Sequence, residues 1–385
     1  MKKSAAAGLL PVGMTDVLPP FASNEADAVE KILGFFENYA YQRVTPPLAE
    51  FEETLFCQQN DDLRNQTFRL IDPLSGKMMG IRADRTAQIG RIALTRVSDE
   101  PRPLRLAYSG HVLRLNGTQL NPARQILQVG AELVGADVAQ ADAEVVLLAL
   151  GALKRIGIEN VSIDLNLPTL FPALCRAYAF DREDTAALAD FVNQKDFSAA
   201  REFLDGMGEK GKSALPVFDV LCSAYGDCDR VTALLSAVDL PDEARAECRR
   251  LAQVAEVLKN SGVAVKITAD ALENRGFEYH CGIAFTLYDA DTFVELGRGG
   301  RYIASVTGKS GEPAVGVTLL MTEILSVLKI PAAQKRVYVP VGTPFSETEK
   351  LKGYAVVCGL SNDAKGEARR LSCDFIYSDG VVRPL

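Results

Sequence analysis

Tryptophan is absent from the 385-residue chain, and histidine occurs only twice, at His111 and His280. Two histidines in unrelated contexts give no serine–histidine or cysteine–histidine triad to argue from. The eight cysteines, at positions 57, 175, 222, 228, 248, 281, 358 and 373, contain no C-x-x-C pair, so a structural zinc site is not expected. Apolar settings such as Leu174-Cys175 and Val357-Cys358 read instead as small buried hydrophobes, which suit a reducing compartment. Long hydrophobic runs are missing too: a stretch such as Val145 to Leu150 is far too short to span a bilayer. The opening Met1-Lys2-Lys3-Ser4, with Ala5 to Ala7 and Leu9-Leu10, is broken by Gly8, Pro11 and Gly13, and is not read as a signal peptide. The expected location is the cytoplasm, without a membrane partner. Positive charge is also short, with 42 Lys and Arg against 50 Asp and Glu and a net charge of −8. That sign disfavours broad nucleic-acid binding, which needs cations to displace counterions.

Two phosphate-binding motifs also fail. Gly308-Lys309-Ser310 has the tail of a P-loop, but the required glycine five residues earlier is Ile303. Gly297-Arg298-Gly299 would need a third glycine where Tyr302 stands, inside a βαβ unit that is absent. No cofactor is expected.

What is present is an ordinary globular composition, 48% hydrophobic and 24% charged. Val29, Ile32, Leu33 and Phe36 predict a helix over 23–40, capped by Ser23 or Asn24. Strands are expected at 68–72, 80–82, 104–115 and 124–134, with helices at 86–97 and 142–157 and a strand at 161–165. From about 167 to 260 strand signals vanish and short charged helices follow one another, which reads as a helical insertion. Strands resume near 277–288, 292–297 and 314–319. The last residues alternate strand, strand, helix and strand, a small α/β appendage. The expected architecture is α+β, an antiparallel sheet flanked by helices, with a core over 1–325 and a small domain over 326–385.

Five segments carry a family resemblance. Gly13-Met14-Thr15-Asp16 through Arg43-Val44-Thr45-Pro46-Pro47 is similar to motif 1 of class II aminoacyl-tRNA synthetases, the element of their homodimer interface. Gly80-Ile81-Arg82-Ala83-Asp84-Arg85-Thr86 resembles the amino-acid-binding strand end of histidyl-tRNA synthetase, with aspartate for the family's glutamate. Gly110-His111-Val112-Leu113-Arg114 through Gln128-Val129-Gly130-Ala131-Glu132 resembles motif 2. Asn274-Arg275-Gly276-Phe277-Glu278-Tyr279-His280 resembles the histidine-specific segment, and Gly299-Gly300-Arg301-Tyr302 with Ala314-Val315-Gly316-Val317 resembles motif 3. The resemblance implies a histidine pocket in which Asp84, Thr86 and Gln128 hold the α-amino group and Glu132 accepts from an imidazole nitrogen. Arg275 would face the carboxylate, Tyr279 and His280 would line the ring pocket, and Arg114 would match the motif 2 arginine. Arg114 and Arg301 read equally well as phosphate-binding or as structural cations.

Departures from the pattern fall on the nucleotide side. Asn116 replaces a carboxylate that contacts adenine, and Pro122 replaces a loop arginine. Leu320-Met321-Thr322-Glu323 puts an acid where the family has its phosphate-binding arginine. An anion there repels triphosphate by several kcal/mol. Sixty residues follow Leu325, which does not match the family's anticodon-binding domain, so no tRNA partner is expected. This combination resembles the synthetase-like regulatory subunits of short-form ATP phosphoribosyltransferase, as do Ile81-Arg82-Ala83-Asp84 and Ala368-Arg369-Arg370-Leu371. That family implies a non-catalytic subunit of a hetero-octamer, activating a separate catalytic subunit in histidine biosynthesis and imposing allosteric feedback by histidine. Histidine would sit in the old pocket or in a site shared with the catalytic subunit. A diverged active synthetase, a paralogue that acylates another protein and a stand-alone histidine-binding scaffold stay open.

Overall fold

A computed structural model of the protein describes residues 8–56, 64–117, 121–273, 279–329 and 331–385. Two compact units divide the chain after Lys329. In chain order the first contains strands β1 (Gln42–Arg43), β2 (Ala49–Phe51), β3 (Phe68–Ile71), β4 (Met78–Ile81), β5 (Leu104–Leu113) and β6 (Gln125–Val134). These are followed by β7 (Val161–Asn166), β8 (Tyr225–Asp227), β9 (Lys266–Asp270), β10 (Ala284–Asp289), β11 (Glu295–Ala304) and β12 (Glu312–Leu320). Nine of them form one sheet in the order β1-β5-β6-β12-β11-β10-β7-β9-β8, and β2-β4-β3 form a second. The central pairings are antiparallel, whereas β1–β5 and β7–β9 are parallel. The expected antiparallel sheet is therefore mixed at its margins.

Successive strand residues point to opposite faces, which gives the large sheet two apolar layers. On one face Leu104, Leu106 and Tyr108 join Ile89 and Ala93 of the helix Thr86–Thr95, with Tyr302 and Ala314. On the other, Ala107, Val129 and Val317 join Ile32 and Phe36 of the helix Phe21–Asn38 and Val145 and Ala149 of the helix Ala139–Arg155. The first helix begins two residues before its expected start. Pro20 occupies the cap position without a side-chain bond, so Ser23 and Asn24 lie inside the helix rather than capping it.

The insertion is helical, with aspartates starting several of its helices: Asp181, Asp196 and Asp227 accept from the amides of Asp184, Ala199 and Asp229. It is not free of strands. Tyr225–Asp227 pairs with Lys266–Asp270 at the sheet's edge, and both strands are set by this pairing rather than by a visible alternation of their own. The insertion also shares the sheet's apolar layer, through Leu204, Phe218, Leu235 and Leu251.

Two buried arginines of this unit are held by carbonyls or by a carboxylate. Arg82 donates to the carbonyls of His111 (2.8 Å) and Pro46 (3.0 Å). Arg301, 4% exposed, binds Asp142, 1% exposed, at 2.7 Å and donates to the Ala136 carbonyl. Of the two readings left open for Arg301, the structural one holds.

The second unit holds β13 (Arg336–Val339), β14 (Ala355–Cys358), β15 (Phe375–Ser378) and β16 (Val381–Pro384), in the order β14-β13-β15-β16. The first three are parallel. The antiparallel β16 was not expected, because its Val381-Val382-Arg383-Pro384 carries no alternating pattern. Cys358, expected to be buried, ends an edge strand and is exposed; Cys281 is exposed as well, whereas Cys175, Cys228, Cys248 and Cys373 are buried. No helix among the described residues is long and apolar enough to cross a membrane.

Removing Asp142 leaves the buried Arg301 guanidinium with only the more distant, exposed carboxylate of Asp137 at 3.4 Å. We expect Asp142→Ala to lose about 3 kcal/mol or more in urea unfolding, against about 0.5 kcal/mol or less for Glu243→Ala in the exposed Arg176–Glu243 pair. Similar losses in both variants would show that Arg301 is not held as described.

Candidate amino-acid-binding site

Register places the site. Glu132 on β6 lies opposite Gly316 on β12, and Gln128 lies opposite Gly110 on β5. The Glu132 carboxylate uses the room a side chain at 316 would take: a Cβ there would meet Glu132 Oε2 at 1.7 Å. Three hydroxyls converge on it, from Tyr302 (3.0 Å), Thr86 (3.2 Å) and Tyr108 (3.4 Å). Glu132 is 1% exposed. Burial, opposed by the Tyr302 hydrogen bond and reinforced by the nearby Asp84 charge, pushes its carboxyl from the usual 4.5 to about 8.

Asp84 sits in the short junction between β4 and the helix Thr86–Thr95. Its Oδ1 accepts from the Thr86 amide at 2.8 Å, which caps that helix from within the junction. Its Oδ2 accepts from Gln128 Nε2 at 3.3 Å. Gln128 Oε1 is buried with no hydrogen-bond partner among the described residues, an acceptor available to an ammonium group. Asp84, Thr86, Gln128 and Glu132, four residues the resemblance singled out, thus form one hydrogen-bonded set.

His280 is buried, with its ring 4.0 Å from that of Tyr279, and Tyr279 lies edge-on to Tyr302 at 6.4 Å. Gly300 makes room for it, since a Cβ there would come within 2.5 Å of His280 Cδ2. Arg114 stands at the rim, its Nε donating to the Ala83 carbonyl at 3.3 Å rather than to a carboxylate. Arg275 lies outside the described residues. Tyr108, Thr318 and the role of Tyr302 escaped the sequence reading. The Tyr108 hydroxyl lies 2.9 Å from Thr318 Oγ1; only the strand register reveals such a cross-strand contact.

The nucleotide side looks different. Asn116 and Pro122 are exposed. Glu323 opens the helix Met321–Val327, where its carboxylate accepts from the Asn121 side chain. Its Oε2 is buried without a hydrogen-bond partner among the described residues, and burial raises its carboxyl above the usual range. A phosphate would meet an acid here, in the place where the synthetase resemblance expects a guanidinium.

Known proteins resemble this chain in sequence and in fold. The histidyl-tRNA synthetase family model matches residues 13–324. An ATP phosphoribosyltransferase regulatory subunit from Paramagnetospirillum magneticum is 44% identical over 99% of both chains, and one from Rhodospirillum centenum is 42% identical over 99% of this chain and 97% of that one. The chain belongs to the family of ATP phosphoribosyltransferase regulatory subunits. Among solved structures, an ATP phosphoribosyltransferase regulatory subunit/histidyl-tRNA synthetase from Bacillus halodurans C aligns with a TM-score of 0.79 at 24% identity, covering 96% of this chain and 97% of that one. Histidyl-tRNA synthetase from Nostoc sp. PCC 7120 aligns at 0.77 with 17% identity over 96% of this chain and 90% of that one. Regulatory subunits of this family and the synthetases therefore share the class II fold described above.

The Glu132 carboxyl makes stability depend on pH. Between about 4.5 and 8 the folded chain holds a proton that the unfolded chain has released. Its contribution is thus complete below 4.5, declines as pH rises, and is gone above about 8. Urea unfolding of wild type and Glu132→Gln at pH 6 and pH 9 isolates this effect. The variant is expected to gain on the order of a few kcal/mol relative to wild type at the higher pH; a difference independent of pH would refute the shift.

Proposed function

We propose that this chain is a regulatory subunit without catalytic activity of its own, which activates a separate short-form ATP phosphoribosyltransferase catalytic subunit and senses histidine through the old amino-acid pocket. The observation that carries the reading is the contrast between the two halves of the site. The acceptor set Asp84, Gln128 and Glu132 is complete and hydrogen-bonded, while Glu323 puts an acid where phosphates would need a cation.

The pocket's chemistry suits histidine. An ammonium needs acceptors, which Asp84 and the free Gln128 oxygen supply. An imidazole needs an acceptor inside an apolar cleft, which Glu132 supplies between Tyr108 and Tyr302, beside Tyr279 and His280. In these low-dielectric surroundings a hydrogen bond from an imidazole N–H to a Glu132 carboxyl oxygen is stronger than it would be in water. Amino-acid activation needs more: positioned cations to stabilise charge at the α-phosphate. Arg114 alone does not make such a set.

Feedback would then be a linkage effect. Histidine binds one quaternary state better and shifts the assembly towards low activity, by no more than the difference between its two affinities. In this reading two copies pair through motif 1, and four copies join four catalytic chains as a hetero-octamer in the cytoplasm. A diverged synthetase is the second reading, favoured only by the shared fold.

Mixing the purified chain with the catalytic subunit should switch on phosphoribosyl transfer that neither chain shows alone, while histidine-dependent exchange of pyrophosphate into ATP should be absent. Pyrophosphate exchange without reconstitution would reverse the reading. Calorimetry with histidine should show binding, weakened roughly ten- to hundred-fold by Glu132→Gln. Unaltered binding and unaltered inhibition of the complex would move histidine to a site shared with the catalytic chain.

A further inference from the structure

Arg85 has the least exposed charged side chain among the described residues, with 0% of its surface accessible. None of its three guanidinium nitrogens has a hydrogen-bond partner among them. Buried donors are nearly always satisfied, and an arginine with three orphans calls for an explanation. The favourable charges of Tyr108 and Asp84 are outweighed by burial and by a neighbouring cation. Arg82 beside it is a second cation, and burial together with Arg82 lowers the Arg85 guanidinium to about 10.

The guanidinium lies on the pocket face of the sheet. It stacks over the Tyr108 ring at 5.2 Å, and Nη1 comes within 2.0 Å of where a Cβ on Gly110 would stand. Tyr108 reaches Glu132 with its hydroxyl, and Gly110 is the register partner of Gln128. The orphaned donors of Arg85 and the orphaned oxygen of Gln128 therefore adjoin the same point of β5. Arg85 also precedes the first residue of the ten-residue helix Thr86–Thr95, whose positive dipole end favours an anion there.

We propose that Arg85, rather than the Arg275 that the synthetase resemblance implies, is the binding group for the α-carboxylate of the bound amino acid, an assignment that rests on the amino-acid pocket proposed above. An α-amino acid carries its ammonium and its carboxylate on one carbon, so their partners must be neighbours. Asp84 and Arg85 are consecutive residues, one an acceptor and the other a cation. A guanidinium already stripped of water loses no further hydration on binding, and its planar fork matches a carboxylate's two oxygens. A dianionic phosphate fits less well, because Asp84 and Glu132 stand close by.

The test compares L-histidine with L-histidinol, which lacks the carboxylate, by calorimetry on wild type, Arg85→Met and Arg85→Lys. Wild type should bind histidine at least about ten-fold more tightly than histidinol. Arg85→Met should abolish this preference while retaining histidinol affinity, and Arg85→Lys should restore part of it. Removing an unpaired buried cation should also raise the melting temperature of the ligand-free Arg85→Met protein, which separates lost recognition from lost folding. A methionine variant that still prefers histidine as strongly as wild type overturns the assignment. So does competition between millimolar inorganic phosphate and histidine in wild type but not in Arg85→Met, because the guanidinium would then take an inorganic anion. Failure of wild type to bind either ligand would instead overturn the pocket itself.

Discussion

A carboxylate cut off from water is the constraint around which the large sheet is arranged. Glu132 has no solvent to pair with its oxygens, so hydroxyls must come from elsewhere in the fold: Thr86 at a helix start, Tyr108 on one neighbouring strand and Tyr302 two strands away. The intervening strand contributes an absence, since Gly316 leaves the carboxylate its space. Slipping any of these strands by one residue would turn a hydroxyl to the far face and put a side chain into the carboxylate. Burial of this acid therefore specifies the register of four strands.

Much of this was legible beforehand because the informative residues lie in compact motifs. The family resemblance of those motifs named Asp84, Thr86, Gln128 and Glu132, and local spacing agrees with it: Asp84 and Thr86 are two residues apart, and Gln128 and Glu132 share one face of one strand. The helices and most long strands showed their periods with boundaries moved by a residue or a few, but β10 begins only at Ala284 and β11 runs on to Ala304, through the glycines expected to end it. Tyr108, Thr318 and Arg85 stayed hidden because their roles depend on which strands adjoin, and a single sequence does not state a pairing. The short strands Tyr225–Asp227 and Lys266–Asp270 were missed for the same reason: neighbours, more than propensity, make them strands. Cys358 shows the opposite error, a buried texture in the sequence that falls at the frayed end of an edge strand.

The two halves of the site have separate histories in physical terms. Recognition of an amino acid needs fixed acceptors in a dry cleft, and the fold supplies these through strand pairing, where any loss also unsettles the sheet. Handling a triphosphate needs cations from loops and a helix start, and those positions can change without disturbing the core. Asn116 and Pro122 are exposed, and Glu323 lies in the first turn of a short helix. A substitution at Asn116, Pro122 or Glu323 is therefore structurally inexpensive, and one in the Asp84, Gln128 and Glu132 set costly.

Arg301 and Tyr302 are consecutive on one strand, and they grip opposite layers. Arg301 is clamped to Asp142 on the helix Ala139–Arg155, while Tyr302 holds Glu132 in the pocket. Two adjacent side chains of one strand thus tie the helix behind the sheet to the buried carboxyl in front of it, and a single peptide unit is all that separates the two attachments.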